Sequence, residues 1–266
     1  MKTIAFIGTG SMGGALASAV SKADDISLLL ANRHPEKAEL LARRIGGTVT
    51  DNETAVKNAD VLFLAVKPQQ TEAVLTALQP VFAAREERLL LVSTVAGTMI
   101  ARLQELIGQK LPIIHIMPNI PVSVGEGMVF YSCGKEVNAE EEAEFRRILS
   151  HAGRLAPLPE NQLDMGSAVA GCGPAFAAMF VEAIADAGVI AGLPRAQAME
   201  FASQMLAGTG KYLLESGMHP GQLKDAVCSP AGATIEGVRV LEENGFRGAV
   251  IDAVSAAYRA HLGLGA

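Results

Sequence analysis

The sequence predicts an α/β protein in which a doubly wound parallel sheet is followed by an all-helical domain. Short apolar runs alternate with helical patterns from residue 1 to about residue 157, and no strand pattern follows the break Pro157-Leu158-Pro159. Such alternation is typical of βαβ units, whose strands are covered by helices on both faces. We therefore expect one domain over residues 1–157 and a second over residues 158–266.

Near-continuous apolar runs predict the strands of the first domain, because strands buried on both faces need no polar alternation. These runs are residues 4–7, 26–31, 61–66, 89–94 and 113–117. Helical patterns separate them at residues 14–22, 35–45 and 69–82. At the edge of the sheet we expect two short strands, at residues 128–131 and 154–157. A helix at residues 139–151 lies between them in the chain.

The second domain contains only helical patterns, at residues 174–191, 194–216, 222–227, 234–243 and 248–262. Pro174 and Pro194 stand near the first turn of their helices, where a missing N–H costs little. Alanine, glycine and methionine occur on several helix faces. This distribution indicates burial beyond one monomer's core, so we expect a homodimer formed through this domain.

Composition argues against several classes of function. The net charge of −6 is unfavourable for non-specific nucleic-acid binding. The three cysteines and five histidines show no metal-ligand spacing, which predicts no metal site. No apolar run reaches the ~18–20 residues that span a bilayer, and the longest candidate, 175–193, is interrupted by Glu182 and Asp186. We expect a soluble, cytoplasmic protein.

A glycine-rich turn follows the first predicted strand and opens a helix. Its sequence is Gly8-Thr9-Gly10-Ser11-Met12-Gly13. In the dinucleotide-binding Rossmann arrangement the first glycine makes the tight turn, the second lets the backbone approach a pyrophosphate, and the third packs helix on strand. The phosphates lie on free N–H groups at the positive helix end. We therefore predict a dinucleotide site formed by residues 8–13.

The next strand ends in Asn32-Arg33, where an NAD site usually carries an acidic residue. A carboxylate would repel a 2′-phosphate, whereas the guanidinium offers a fork of donors to its oxygens. Lys37 follows one helical turn later. We predict NADPH (NADP⁺) as cofactor, with NADH weaker; the alternative is that Arg33 only solvates a strand end.

Ligands of such sheets bind beyond the carboxyl ends of the strands. Those ends carry small residues and prolines expected to form a wall against the nicotinamide: Ala65, Val66, Lys67, Pro68, Ala96, Gly97 and Asn119. Lys67 has three open roles, as a catalytic acid, as support for the cofactor or as a solvated side chain.

The segment Ser229-Pro230-Ala231-Gly232-Ala233-Thr234 opens into a helix. A polar turn at a helix N-terminus is a ready carboxylate site. The equal alternative is an ordinary connection in which Ser or Thr caps the helix. Glu182 and Asp186 share a helix face, which more often marks solvent or an interface than acid–base catalysis.

Several motifs together resemble pyrroline-5-carboxylate reductase. They are Ala96-Gly97, Met117-Pro118-Asn119, Gly171-Cys172-Gly173-Pro174-Ala175-Phe176, His219-Pro220-Gly221-Gln222-Leu223-Lys224-Asp225 and Ser229-Pro230-Ala231-Gly232-Ala233-Thr234. The resemblance implies NADPH-dependent reduction of (S)-1-pyrroline-5-carboxylate to L-proline, the last step of proline biosynthesis, by an oxidoreductase acting on a CH–NH bond. It also implies a helical dimerisation domain, with dimers that assemble further in some members. The substrate carboxylate would lie on residues 229–234, Thr234 would be catalytic, and Asn52 matches a cofactor-contacting asparagine.

Two motifs depart from the family pattern. Ala231 replaces a glycine of Ser-Pro-Gly-Gly, and we expect that the backbone there does not need a positive φ. Ala170 and Cys172 replace two serines of Ser-Gly-Ser-Gly-Pro-Ala, so those hydroxyls are not essential if the activity is retained.

Two other functions share features with this sequence. A β-hydroxyacid dehydrogenase also joins a Rossmann domain to helices, but its chemistry needs a lysine early in the second domain, and residues 155–210 contain none. A catalytically silent NADPH sensor stays open from motifs alone, and an assay of NADPH oxidation with pyrroline-5-carboxylate would separate it from the enzyme.

Overall fold

The computed structural model describes residues 1–263, which fall into two compact units. The first contains Met1–Cys172 together with residues 258–263, and the second is Gly173–Ala257. The first unit runs past residue 157 because short helical segments after that point pack on the sheet. The division of domains at residue 157 stays a prediction.

Within the described residues the first unit holds one sheet of eight strands in the order β3-β2-β1-β4-β5-β6-β7-β8. The strands are β1 Lys2–Ile7, β2 Ile26–Ala31, β3 Thr48–Thr50, β4 Val61–Leu64, β5 Leu90–Ser93, β6 Ile113–Pro118, β7 Gly127–Cys133 and β8 Gly153–Pro157. Strand β7 runs antiparallel to β6, and all other neighbours are parallel. A short 3-10 turn, Ile120–Val124, joins β6 to β7. Because a parallel crossover needs a dozen or more residues, this short link forces the reversal.

Helices cover both faces of the sheet, which confirms the doubly wound Rossmann prediction. They are α1 Ser11–Val20, α2 Pro35–Ile45, α3 Asn52–Asn58, α4 Pro68–Ala83, α5 Ile100–Ile107, α6 Ala139–Ile148 and α7 Leu163–Gly166, the last followed by a π-helical turn, Ser167–Gly171. Successive β1 residues alternate between two cores: Ile4 and Phe6 pack with α1, α2 and α6, and Ala5 and Ile7 pack with α3, α4 and α5.

Four elements are present that the sequence did not predict: β3, α3, α5 and α7. Strand β3 has three residues, too few for a periodic signal. Strands β4 and β5 also end earlier than expected, at Leu64 and Ser93. Their early ends leave residues 65–67 and 94–97 as loops at the edge where ligands bind in this fold.

The second unit is helical throughout, as predicted. Its helices are α8 Gly173–Ile190, α9 Arg195–Ser216, α10 Pro220–Val227, α11 Ala233–Glu243 and α12 Phe246–His261, of which the last runs into the first unit. Helices α8 and α9 pack through three buried alanines, Ala185, Ala198 and Ala202. A Cβ on Gly188 would lie 3.1 Å from the Ala198 Cβ, so small residues set this close approach.

One helical stretch, Glu160–Ile190, is long and apolar enough by length and composition to cross a membrane. Glu182 and Asp186 lie within this stretch, as the sequence indicated, and they do not end the helix. Length and composition do not separate a membrane helix from one that packs against another protein chain.

Candidate functional site

The glycine turn between β1 and α1 is shaped by close backbone contacts. Gly8 has φ +100°, and a Cβ there would collide with the Ala65 carbonyl oxygen. A Cβ on Gly13 would collide with the Gly8 carbonyl oxygen and lie 3.0 Å from the Ala65 Cβ. Around Gly10, by contrast, a Cβ would meet nothing within 4 Å. Two glycines are thus needed by the fold itself, and the third faces open space.

Asn32 holds the same turn from the end of β2. Its Oδ1 accepts from the Thr9 N–H at 3.0 Å, and its Nδ2 donates to the His34 carbonyl at 2.9 Å. The Thr9 side chain is buried, and its hydroxyl has no hydrogen-bond partner among the described residues. An unpartnered buried hydroxyl beside an open glycine fits a site that receives polar atoms from a ligand.

A cavity of about 490 Å³ lies beside this turn and gathers many of the predicted cofactor residues. Its lining includes Gly8, Gly10, Asn32, Arg33, Lys37, Asn52, Ala65, Val66 and Lys67. Thr9 and Ser11 line a neighbouring cavity that also includes Gly10 and Lys37. Met12 and Gly13 lie in the turn of α1, and Pro68 begins α4.

The rim of the 490 Å³ cavity is basic. Arg33, Lys37 and Lys67 are exposed, and none of the described lining residues is acidic. Asn52 is placed by the start of α3, where Asp51 accepts from the Thr54 N–H at 2.7 Å. The hydrogen bond from the Thr54 backbone, ahead of that from its hydroxyl, lowers the pKa of Asp51. This rim suits an anionic group, as the Asn32-Arg33 pair predicted.

Ala96, Gly97 and Asn119 do not line that cavity. Gly97, at φ +70°, lies exposed in the loop after β5. Asn119 is buried, where its Oδ1 accepts from the Met128 N–H and its Nδ2 donates to the Ala170 carbonyl, both at 2.9 Å. The sequence did not predict these two hydrogen bonds, because they join residues that lie in separate elements. Cofactor contact by these three residues stays a prediction.

The 229–234 loop forms a tight turn before α11. The Gly232 N–H donates to the Ser229 carbonyl at 3.0 Å, and Ala231 has φ +57°. Proline at the second position and a positive φ at the third are features of a type II turn, which usually places glycine third. The expectation that Ala231 does not need positive φ is therefore wrong. Alanine reaches this region at a cost of roughly 1–2 kcal/mol rather than being excluded from it.

The N-terminus of α11 carries no side-chain cap. Its N-cap is Gly232, and neither Ser229 nor Thr234 forms a side-chain hydrogen bond among the described residues. Both residues are exposed. The capping alternative is thus not observed, and the first-turn N–H groups lack helical partners. This geometry leaves backbone donors and two hydroxyls available to a carboxylate.

Other polar side chains have structural partners. Asp186 pairs with Arg195 at 2.6 Å, which links α8 to the start of α9 and gives this carboxylate a role other than acid–base chemistry. Cys172 Sγ lies 3.7 Å from His261 Nε2. Within residues 1–263 no group of three histidine, cysteine or acidic side chains could hold a metal ion.

Comparison with known proteins gives matches over both parts of the chain. Residues 160–264 match the family model described as pyrroline-5-carboxylate reductase dimerisation. Residues 3–97 match the model described as NADP oxidoreductase, coenzyme F420-dependent.

Curated relatives and solved structures agree with those models. Pyrroline-5-carboxylate reductase from Synechocystis is 44% identical over 81% of this chain and 79% of its own length. The Escherichia coli enzyme of that name is 38% identical over 96% and 95% of the two chains. The crystal structure of Plasmodium falciparum pyrroline carboxylate reductase with NADP bound has a TM-score of 0.87 and 31% identity, covering 100% of this chain and 98% of that one.

Proposed function

We propose that this chain, which belongs to the pyrroline-5-carboxylate reductase family, reduces (S)-1-pyrroline-5-carboxylate to L-proline with NADPH. Its family membership makes it an oxidoreductase acting on a CH–NH bond, in proline biosynthesis. The observation that carries the proposal is the basic cavity beside the glycine turn, which fits a phosphorylated dinucleotide in a chain that matches the family over nearly its whole length.

The N-terminal unit binds NADPH, which supplies the hydride when bound. The open face of Gly10 and the N–H groups at the start of α1 receive the pyrophosphate. Thr9, with its unpartnered hydroxyl, Ser11 and Met12 surround it. Arg33 and Lys37 bind the 2′-phosphate, and Asn52 supports the adenosine side. Ala65–Pro68 and Ala96, Gly97 and Asn119 complete the nicotinamide wall.

The 229–234 loop holds the substrate. First-turn N–H groups of α11 bind the carboxylate, since a helix N-terminus favours an anion. The Ser229 hydroxyl and the backbone of Pro230–Ala233 complete this anion site. Fixing the cyclic imine in register with the hydride donor supplies much of the acceleration, because well-oriented reactions gain roughly 7–11 kcal/mol.

Thr234 is the proposed catalytic residue. Its hydroxyl donates to the ring nitrogen, directly or through one water, and so assists proton delivery as the imine becomes an amine. General-acid help of this kind contributes about 10²–10⁴ in rate.

The helical unit assembles two copies of the chain into a homodimer. Support comes from the match to the family's dimerisation model and from an open apolar groove of about 570 Å³ between α8, α11 and α12. Phe176, Met179, Phe180, Leu241 and Phe246 are among its lining residues. A second copy covering such a surface also accounts for the apolar stretch Glu160–Ile190 without a membrane. The protein acts in the cytoplasm, without nucleic acid or metal.

The decisive test follows NADPH oxidation with pyrroline-5-carboxylate. We expect oxidation only with the imine present, and proline as product. A 1-pyrroline without its carboxylate should react far less efficiently. Tight NADPH binding without turnover would instead identify a sensor, and equal turnover of the two imines would remove the 229–234 loop as an anion site. Sedimentation of the purified protein tests the dimer.

A further inference from the structure

A buried histidine and a glutamate meet beneath the loop that follows β5. His115, in the middle of β6, is 3% exposed. Its Nδ1 lies 3.1 Å from Glu160 Oε1, and its Nε2 lies 3.1 Å from the Val95 carbonyl oxygen. Neither residue belongs to the cofactor or substrate residues proposed above.

Both ring nitrogens of His115 face an oxygen acceptor. A neutral imidazole has one N–H donor, but both ring nitrogens of His115 face acceptors. Only the imidazolium donates to both the Glu160 carboxylate and the Val95 carbonyl. Burial works to raise the pKa of Glu160, but the hydrogen bonds from His115 and the Ile100 N–H outweigh it and the pKa is lowered. The pair is thus a charge-assisted contact between a buried histidine and a partly exposed glutamate, and such a contact is stronger than a neutral one.

Glu160 makes a further contact, with the other end of the loop. Its Oε1 accepts from the Ile100 N–H, the first residue of α5, at 2.6 Å. His115 holds the carbonyl of Val95, where the loop begins, and Glu160 holds the N–H of Ile100, where it ends. The loop residues between them, 96–99, include the positive φ of Gly97. One ion pair therefore fixes both ends of the segment that carries Ala96 and Gly97.

We propose that His115 and Glu160 are positioning residues for the cofactor: by fixing both ends of residues 95–100, they set where Ala96 and Gly97 meet the nicotinamide half. This inference rests on the proposed function, which assigns those two residues to the cofactor. The pair touches neither cofactor nor substrate and acts only through the loop.

The test uses E160Q and H115F in the full-length protein. E160Q keeps the shape and the acceptor for the Ile100 N–H but removes the charge, and H115F removes both donors. We expect each to weaken NADPH binding roughly tenfold, as loss of a charged hydrogen bond would, and to lower kcat. The KM for the imine should change little. In the free protein, amide exchange should rise in peptides covering residues 94–100. H115K, which restores a cation with several donors, should recover part of the binding.

The matched control is Y131F. Tyr131 is also buried, on β7; its hydroxyl donates to Glu142 Oε1 at 2.7 Å and accepts from Arg146 at 2.9 Å, and neither partner belongs to the loop. It should lower the melting temperature without changing NADPH affinity. Wild-type affinity and kcat in E160Q, with reduced stability alone, would overturn the inference, and E160Q decides the matter if H115F does not fold. Failure of the wild-type protein to bind NADPH would overturn the proposed function as well.

Discussion

The glycine turn of residues 8–13 and the 229–234 loop both lead into a helix N-terminus, yet they are held in different ways. In the first, Gly8 and Gly13 press against neighbouring backbone, and the sheet dictates their conformation. In the second, an exposed four-residue turn holds itself through one hydrogen bond, with Ala231 at a costly positive φ. The cofactor site is therefore built by the fold, whereas the substrate loop depends on local turn chemistry.

The largest expected effect comes from G13A in the turn built by the fold. Its new methyl group would collide with the Gly8 carbonyl oxygen, so the turn must open. We expect NADPH binding to be lost. The free energy of unfolding should fall by roughly 1–3 kcal/mol or more, which is the usual cost of overpacking a core. Calorimetry of NADPH binding and urea unfolding measure both.

The matched control is G14A, the next residue of the same helix. A Cβ there meets its nearest atom, the Thr9 carbonyl oxygen, at 3.8 Å, an ordinary contact. It should fold and bind NADPH as the wild type does. Equal damage from both variants would show that the turn is not set by the Gly13 contact.

A second prediction concerns the chemistry of Thr234 in the 229–234 loop. T234A should lower kcat/KM by about 10²-fold or more through loss of a general-acid contribution, with NADPH binding unchanged because Thr234 has no structural partner among the described residues. T234S, which retains the hydroxyl, should recover most of the activity. Unchanged turnover and affinity in T234A would remove Thr234 from the mechanism.

A third prediction separates the role of the basic rim from that of the glycine turn, by comparing the Kd values for NADPH and NADH. R33A should raise the Kd for NADPH about tenfold, as expected for a lost charge-assisted hydrogen bond, and leave the Kd for NADH unchanged. R43A is the control, since Arg43 is exposed on the next helix and pairs with Glu39 at 3.6 Å. Equal weakening of both cofactors by R33A would contradict a 2′-phosphate role.

The smallest expected effect tests the strain in the substrate loop. A231G should stabilise the protein by about 1 kcal/mol, because glycine reaches positive φ without the penalty that alanine incurs. A233G, two residues later at the start of α11, should instead destabilise it by up to about 1 kcal/mol. Urea unfolding compares them, and a loss of stability in A231G would contradict a strained turn.

The sequence predicted most of the sheet because buried parallel strands leave an apolar signature that needs no tertiary information. Helix α5 had a readable signal in its buried Ile100, Leu103, Leu106 and Ile107 and in the terminating Gly108. Helix α3 was harder, since it is short and polar and its main clue is the Asp51 cap. The antiparallel β7 followed from the short link before it rather than from any property of its own residues.

The candidate cofactor residues could be proposed from the sequence because they lie close together in the chain or at predicted strand ends. The contacts of Asn119 with Met128 and Ala170, and of His115 with Val95 and Glu160, join separate elements and have no local pattern. The prediction for Ala231 was wrong because alanine usually avoids a positive φ, and its identity alone therefore indicated a negative one. The hydrogen-bonded turn around it outweighs a preference of this size.

The alanine packing between α8 and α9 has a consequence for how the enzyme responds to dilution. The fully buried side chains of the helical unit's core are three alanines, with two larger residues only partly buried against them, whereas Met179, Ile190 and Phe201 are exposed. A unit that gains its apolar burial from a second copy is stabilised by mass action. The melting temperature should therefore rise with protein concentration, and specific activity should fall below the concentration at which dimers separate.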